Sequence, residues 1–135
     1  MSSAIALPLS MEDAPRKRAA KILVIDDDDA MRELLKLHLR NNGYEVLAAE
    51  DAIVAGHLVI DEKPDLLIVD VQMPYMNGYE FVSALKSDPT TRHIPVVFLT
   101  TDDNVGEYAR KLGAAAYLNK PVIADRLLEV VALFA

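Results

Sequence analysis

Two groups of acidic residues stand where chemistry could be done. Asp26, Asp27, Asp28 and Asp29 follow the apolar run at 21–25, and a lone carboxylate, Asp70, ends the apolar run at 66–69. A hydroxyl, Thr100, and an ammonium, Lys120, follow two further apolar runs at 94–99 and 114–118. If these residues meet, three carboxylates crowd together, and like charges so placed raise one another's pKa unless something positive binds between them. Ligands that are all oxygen select a hard cation such as Mg²⁺. An acidic trio with a lysine and a hydroxyl suits the handling of a phosphoryl group, where catalysis is mostly positioning and neutralisation of charge. The Asp70 carboxylate would then be the nucleophile. Taken alone, Asp70 reads equally well as a cap for the next helix.

Whether the four groups meet depends on the elements that carry them. The apolar runs are short, rich in β-branched residues and bounded by turn signals, which reads as buried strands. Between them, apolar residues recur at helical spacing: Met31, Leu34, Leu35, His38 and Leu39; then Ile53, Ala55, Val59 and Ile60 within 52–62; then Phe81, Val82 and Leu85. Val105, Tyr108, Ala109 and Leu112 lead to a C-cap at Gly113, and Leu127, Leu128, Val131 and Phe134 mark a last helix over 124–134. With a second strand expected over 44–48, five strands alternate with five helices. Such alternation requires parallel pairing through right-handed crossovers. The expected fold is α/β: a doubly wound, five-stranded parallel sheet flanked by five helices, flavodoxin-like. In strand order 2-1-3-4-5 the switch point falls between the first and third strands. Asp26 and Asp27 would then lie beside Asp70, with Thr100 and Lys120 on the same rim.

Composition bounds the rest. The chain of 135 residues is one domain's worth, 52% hydrophobic and 26% charged. Its formal charge of −7 argues against a nucleic-acid surface, which needs a basic stripe, and favours cationic partners or a metal ion. There is no cysteine, hence no thiolate metal site or cysteine nucleophile, which suits the cytoplasm. The apolar patch at 5–9 is too short for a signal sequence or a membrane span. Residues 1–20, with the basic run Arg16, Lys17 and Arg18, read as a flexible leader, and 21–135 as the folded domain. His38, His57 and His93 form no cluster and read as structural or exposed.

The segments VIDDDD, LLIVDVQMPYMNGYEF, VVFLTT and GAAAYLNKP, in this order, resemble the receiver domain of bacterial two-component response regulators over 21–135. The resemblance implies that Asp70 accepts a phosphoryl group from a histidine kinase or a phosphotransfer protein. It implies that Asp27 ligates Mg²⁺, that Asp26 holds the ion's waters, and that the backbone carbonyl of Gln72 is a further ligand beside Asp70. Thr100 is matched to the hydroxyl that contacts the phosphoryl group, Lys120 to the lysine that pairs with it, and Tyr117 to the aromatic ring whose rotation reports the switch. The Lys120–Pro121 bond would be cis. In this register Asp28 and Asp29 are left as helix caps.

Two departures stand out against that pattern. The stretch from Thr100 to Gly113 is about two residues short, roughly half a helical turn, and Thr101 replaces a smaller residue beside the site. The expected behaviour is a phosphorelay switch, not a metabolic enzyme. Its output face, for a downstream protein, an output domain or a homodimer, would be formed by the fourth helix, fifth strand and fifth helix. Two other readings compete with it. A constitutive interaction module would not need the intact set of Asp27, Asp70, Thr100 and Lys120, and an aspartyl-phosphate phosphatase would have an acid where Gln72 stands.

Overall fold

The structure, a computed structural model, describes residues 19–101 and 105–135. The leader expected over 1–20 lies outside the described residues up to position 18. From Ala20 onward the chain is committed, because its carbonyl accepts from the Glu45 N–H at 3.0 Å.

Five strands form one parallel sheet: β1 (Lys21–Ile25), β2 (Glu45–Ala49), β3 (Leu66–Asp70), β4 (Val96–Thr100) and β5 (Ala116–Asn119). Their order is β2-β1-β3-β4-β5, as expected. The helices are α1 (Asp29–Asn41), α2 (Ala52–Glu62), α3 (Gly78–Ser87), α4 (Val105–Lys111) and α5 (Ala124–Phe134). Successive strand residues point to opposite faces. Leu23, Ile25, Leu67, Val69 and Phe98 pack with α2, α3 and α4, while Ile22, Val24, Leu66, Ile68 and Leu99 pack with α1 and α5. Burial on both faces is why these strands read as continuous apolar runs.

This sorting of helices creates the cleft. The chain leaves β1 toward α1 on one face and leaves the adjacent β3 toward α3 on the other, so the two connections diverge and the rim between them stays open. Local capping fixes both departures. The Asp28 side chain accepts from the N–H groups of Ala30 and Met31 at the start of α1. Asn77 and Glu80 form a reciprocal capping box at the start of α3.

Three expectations need correction. β4 begins at Val96 rather than 94, because Ile94 donates to the Thr91 carbonyl in a turn and Pro95 has no donor. β5 begins at Ala116 rather than 114, because the Ala114 N–H closes α4 on the Ala109 carbonyl at 2.9 Å. On α2, Ile53 and Ile60 are 57% and 70% exposed, and the buried stripe is Ala52, Ala55 and Val59. Leu34 on α1 and Tyr108 on α4 are exposed as well.

Candidate functional site

Every strand that ends on the cleft delivers the side chain expected of it. Asp26 follows β1 and is fully buried, Asp70 ends β3 at 5% exposure, and Thr100 ends β4 at 3%. Lys120 follows β5, and its N–H donates to the Thr100 carbonyl at 2.8 Å, which seats the lysine on this rim. The Lys120–Pro121 bond is cis. Asp27 is exposed at the cleft's mouth, and Asp27, Asp70, Gln72, Thr100, Thr101 and Lys120 line a space of about 370 Å³.

Charges meet closely here. One oxygen from each of Asp26, Asp27 and Asp70 lies within 4.8 Å of the others. Lys120 Nζ stands 3.1 Å from Asp26 Oδ2 and 3.3 Å from Asp70 Oδ1. The turn supplies amides: the Asp28 N–H donates to Asp26 Oδ1 at 2.9 Å, and the Gln72 N–H to Asp70 Oδ1 at 3.3 Å. Asp26 Oδ2 is buried with no aligned hydrogen-bond donor, only the nearby ammonium. Burial, then the negative charge of Asp26, pushes the Asp70 carboxyl up to about 6, and Lys120 pulls it only part of the way back. Burial alone would lower the Lys120 ammonium, but the two carboxylates beside it override this and hold it above its ordinary value. One ammonium thus serves two buried carboxylates, with Asp27 close by. The donor set fits a hard divalent cation, since the ligands are all oxygen and the buried Asp26 oxygen lacks a donor.

Tyr117 is not in the cleft. Its ring is 40% exposed and lies outward against α4. Neither His38, His57 nor His93 joins the acidic group. Two residues matter more than their types announce. A Cβ at Gly78 would stand 2.4 Å from the Asp70 carbonyl oxygen and 2.9 Å from Val71 Cα, so α3 can begin against the backbone of Asp70 only at a glycine. Arg32, on α1, donates through Nη1 to the Asp26 carbonyl at 2.6 Å and also pairs with Asp29. Only its position, three residues and less than one helical turn beyond the acidic run, hints at that hold.

A doubly wound sheet of this order, with carboxylates gathered at its switch point, defines the flavodoxin-like class to which signalling receivers belong. The model of the response regulator receiver domain matches residues 22–132, and the chain belongs to that family. It is 42% identical over 106 residues to the response regulator PleD of Caulobacter vibrioides, covering 77% of this chain and 23% of PleD. It is 40% identical over 112 residues to the response regulator MprA of Mycobacterium bovis, covering 82% of this chain and 48% of MprA. The chain therefore spans less than half the length of these curated relatives. Among solved structures, the chemotaxis response regulator CheY4 of Vibrio cholerae superposes with a TM-score of 0.82 at 31% identity, over 87% of this chain and all of that one. The chain is thus a receiver domain of two-component, phosphorelay signalling, a signalling switch. Among the described residues no helix is long and apolar enough to cross a membrane.

Proposed function

We propose that Asp70 is the phospho-acceptor, taking the phosphoryl group from a histidine kinase or phosphotransfer protein. One observation carries the reading: a buried carboxylate at the carboxyl end of β3 shares a single lysine with a second buried carboxylate. An Asp70 oxygen forms the new P–O bond as the donor's P–N bond breaks, and the imidazole leaves with the nitrogen's electron pair. Lys120 balances charge on the arriving oxygens, and the Thr100 hydroxyl donates to one of them. Asp27, Asp70 and the Gln72 carbonyl would hold Mg²⁺ directly, and Asp26 through water. When bound, the ion neutralises charge on the phosphoryl group and on the crowded carboxylates.

Output follows from a shift between two states. As Thr100 is drawn toward the phosphoryl group, it leaves space that the Tyr117 ring can fill. A swing from mostly inactive to mostly active needs about 5 kcal/mol of differential affinity. The surface of α4, β5 and α5 is the face offered to a downstream protein, an output domain or a second copy. On this reading the domain works in the cytoplasm and binds no nucleic acid itself.

Intact-mass spectrometry after incubation with acetyl phosphate and Mg²⁺ tests the assignment. The wild type should gain one phosphoryl group, and Asp70→Asn should gain none. An undiminished adduct in Asp70→Asn rejects the acceptor, and no adduct in the wild type favours a constitutive interaction module.

A further inference from the structure

We infer that Gly106 is the seat of the Tyr117 ring and sets the resting position of the switch, an inference that rests on Thr100 and Tyr117 acting as proposed above. The ring of Tyr117 lies directly across the glycine. A Cβ at position 106 would stand 3.1 Å from Cε1, 3.3 Å from Oη and 3.4 Å from Cζ of Tyr117. Contacts that short are tolerated only if the neighbour gives way. Glycine in a helix is otherwise a cost, because it loses more backbone freedom than alanine. In a helix of seven residues the cost matters more.

Which partner would give way is settled by what holds α4. Val105 and Ala109 are buried, Ala109 in the core that holds Leu67, Val69 and Phe98 of the sheet. On its other flank, Tyr108 stacks on Tyr79 of α3 at 4.6 Å between ring centres, and Tyr79 meets Phe98 of β4 edge-on at 5.2 Å. The helix is therefore held through Val105, Ala109 and Tyr108, whereas Tyr117 is 40% exposed. A methyl group at position 106 displaces the ring and leaves the helix where it is.

The sheet register says where the ring would go. Tyr117 pairs with Phe98 and Asn119 pairs with Thr100, so Tyr117 and Thr100 share one face of the sheet, one diagonal step apart. Pushed off α4, the ring moves toward the space beside Thr100, the direction assigned to the phosphorylated state. Gly106 thus favours the resting state by accepting the ring, and its replacement should bias the domain toward the active state before any phosphoryl group arrives.

The test uses the full chain labelled with 3-fluorotyrosine, with the Tyr117 fluorine signal identified by its loss in Tyr117→Phe. Beryllofluoride with Mg²⁺ stands in for the phosphoryl group. In Gly106→Ala without beryllofluoride, the Tyr117 signal should already lie displaced toward its wild-type beryllofluoride position. Half-saturation by beryllofluoride should need at least about threefold less of it. Glu107→Ala, which raises helix propensity in α4 without facing Tyr117, should change neither quantity. In the Tyr117→Ala background, Gly106→Ala should lose its effect on beryllofluoride affinity. An unmoved Tyr117 signal in Gly106→Ala, or an affinity gain that survives in Tyr117→Ala, overturns the seat. A wild-type Tyr117 signal indifferent to beryllofluoride instead overturns the switch reading, and a displaced signal in Gly106→Ala then retains the seat as a packing contact alone.

Discussion

At the amino-terminal rim of the sheet, the Lys21 N–H donates to the Asp65 carboxylate at 2.7 Å and the Lys21 ammonium to the Glu62 carbonyl at 3.1 Å. Beside them, Lys86 caps the carbonyls of Arg92 and Ile94, and the Thr91 hydroxyl reaches the Leu85 carbonyl at 2.7 Å. Each of these donors closes a turn. At the carboxyl rim the same sheet leaves Asp26 and Asp70 to share Lys120, with Asp27 within reach. One rim is assembled for stability, and the other holds like charges together at a cost. The difference is what lets the second rim respond to a ligand, because only unbalanced charge gains from a cation or a phosphoryl group.

The comparison breaks first if the carboxyl rim has slack. Gly78→Ala should cost on the order of 3 kcal/mol in urea unfolding and sharply reduce phosphoryl incorporation, since its methyl overlaps the Asp70 backbone. A variant that unfolds and phosphorylates like the wild type would mean that this rim yields easily. A somewhat smaller effect concerns pH. Asp70 is raised from 3.8 to about 6, so the folded state holds its proton more tightly than the unfolded chain does. The stabilisation from that proton is full below about pH 4 and is lost as pH rises through about 6, on the order of 2 kcal/mol without metal. Thermal melts in chelator should show this decline, and both saturating Mg²⁺ and Asp70→Asn should flatten it.

The other rim should behave conversely. Thr91→Val should lose about 1 kcal/mol by removing the hydroxyl's bond to the Leu85 carbonyl, which keeps only the longer bond from the Asp88 N–H at 3.3 Å, with phosphoryl incorporation unchanged. A loss of phosphorylation there would show that the rims are coupled. Smallest of all, Lys63 caps α2 in the left-handed region at φ 49. Lys63→Gly should raise the unfolding free energy measured in urea by up to about 0.5 kcal/mol and leave chemistry alone.

Much of this was legible before the fold was known, and the boundary falls along physical lines. Asp26, Asp70, Thr100 and Lys120 are visible because each interrupts or follows a buried apolar run, and parallel strands bring such ends to one rim. The α2 face departs from the expected one because helical spacing marks a stripe without its width. Ala52, Ala55 and Val59 let α2 sit close to β1 and β2, and that closeness leaves Ile53 and Ile60 outside. The nearness of Gly78 to Asp70 and of Gly106 to Tyr117 was not legible, because each depends on where a helix lands on the sheet. For the same reason, Lys86 and Thr91 showed nothing of the carbonyls they serve.

That Lys120 follows the last strand has a consequence for how the molecule is made. Asp26, Asp27 and Asp70 leave the ribosome well before Lys120, so a nascent chain holding β1 to β4 carries the acidic group without its ammonium. β5 is an edge strand, joined to the sheet only through β4. Until it docks, the growing chain has an open sheet edge and an unneutralised pocket, and a divalent ion captured at that stage would stand in for the lysine.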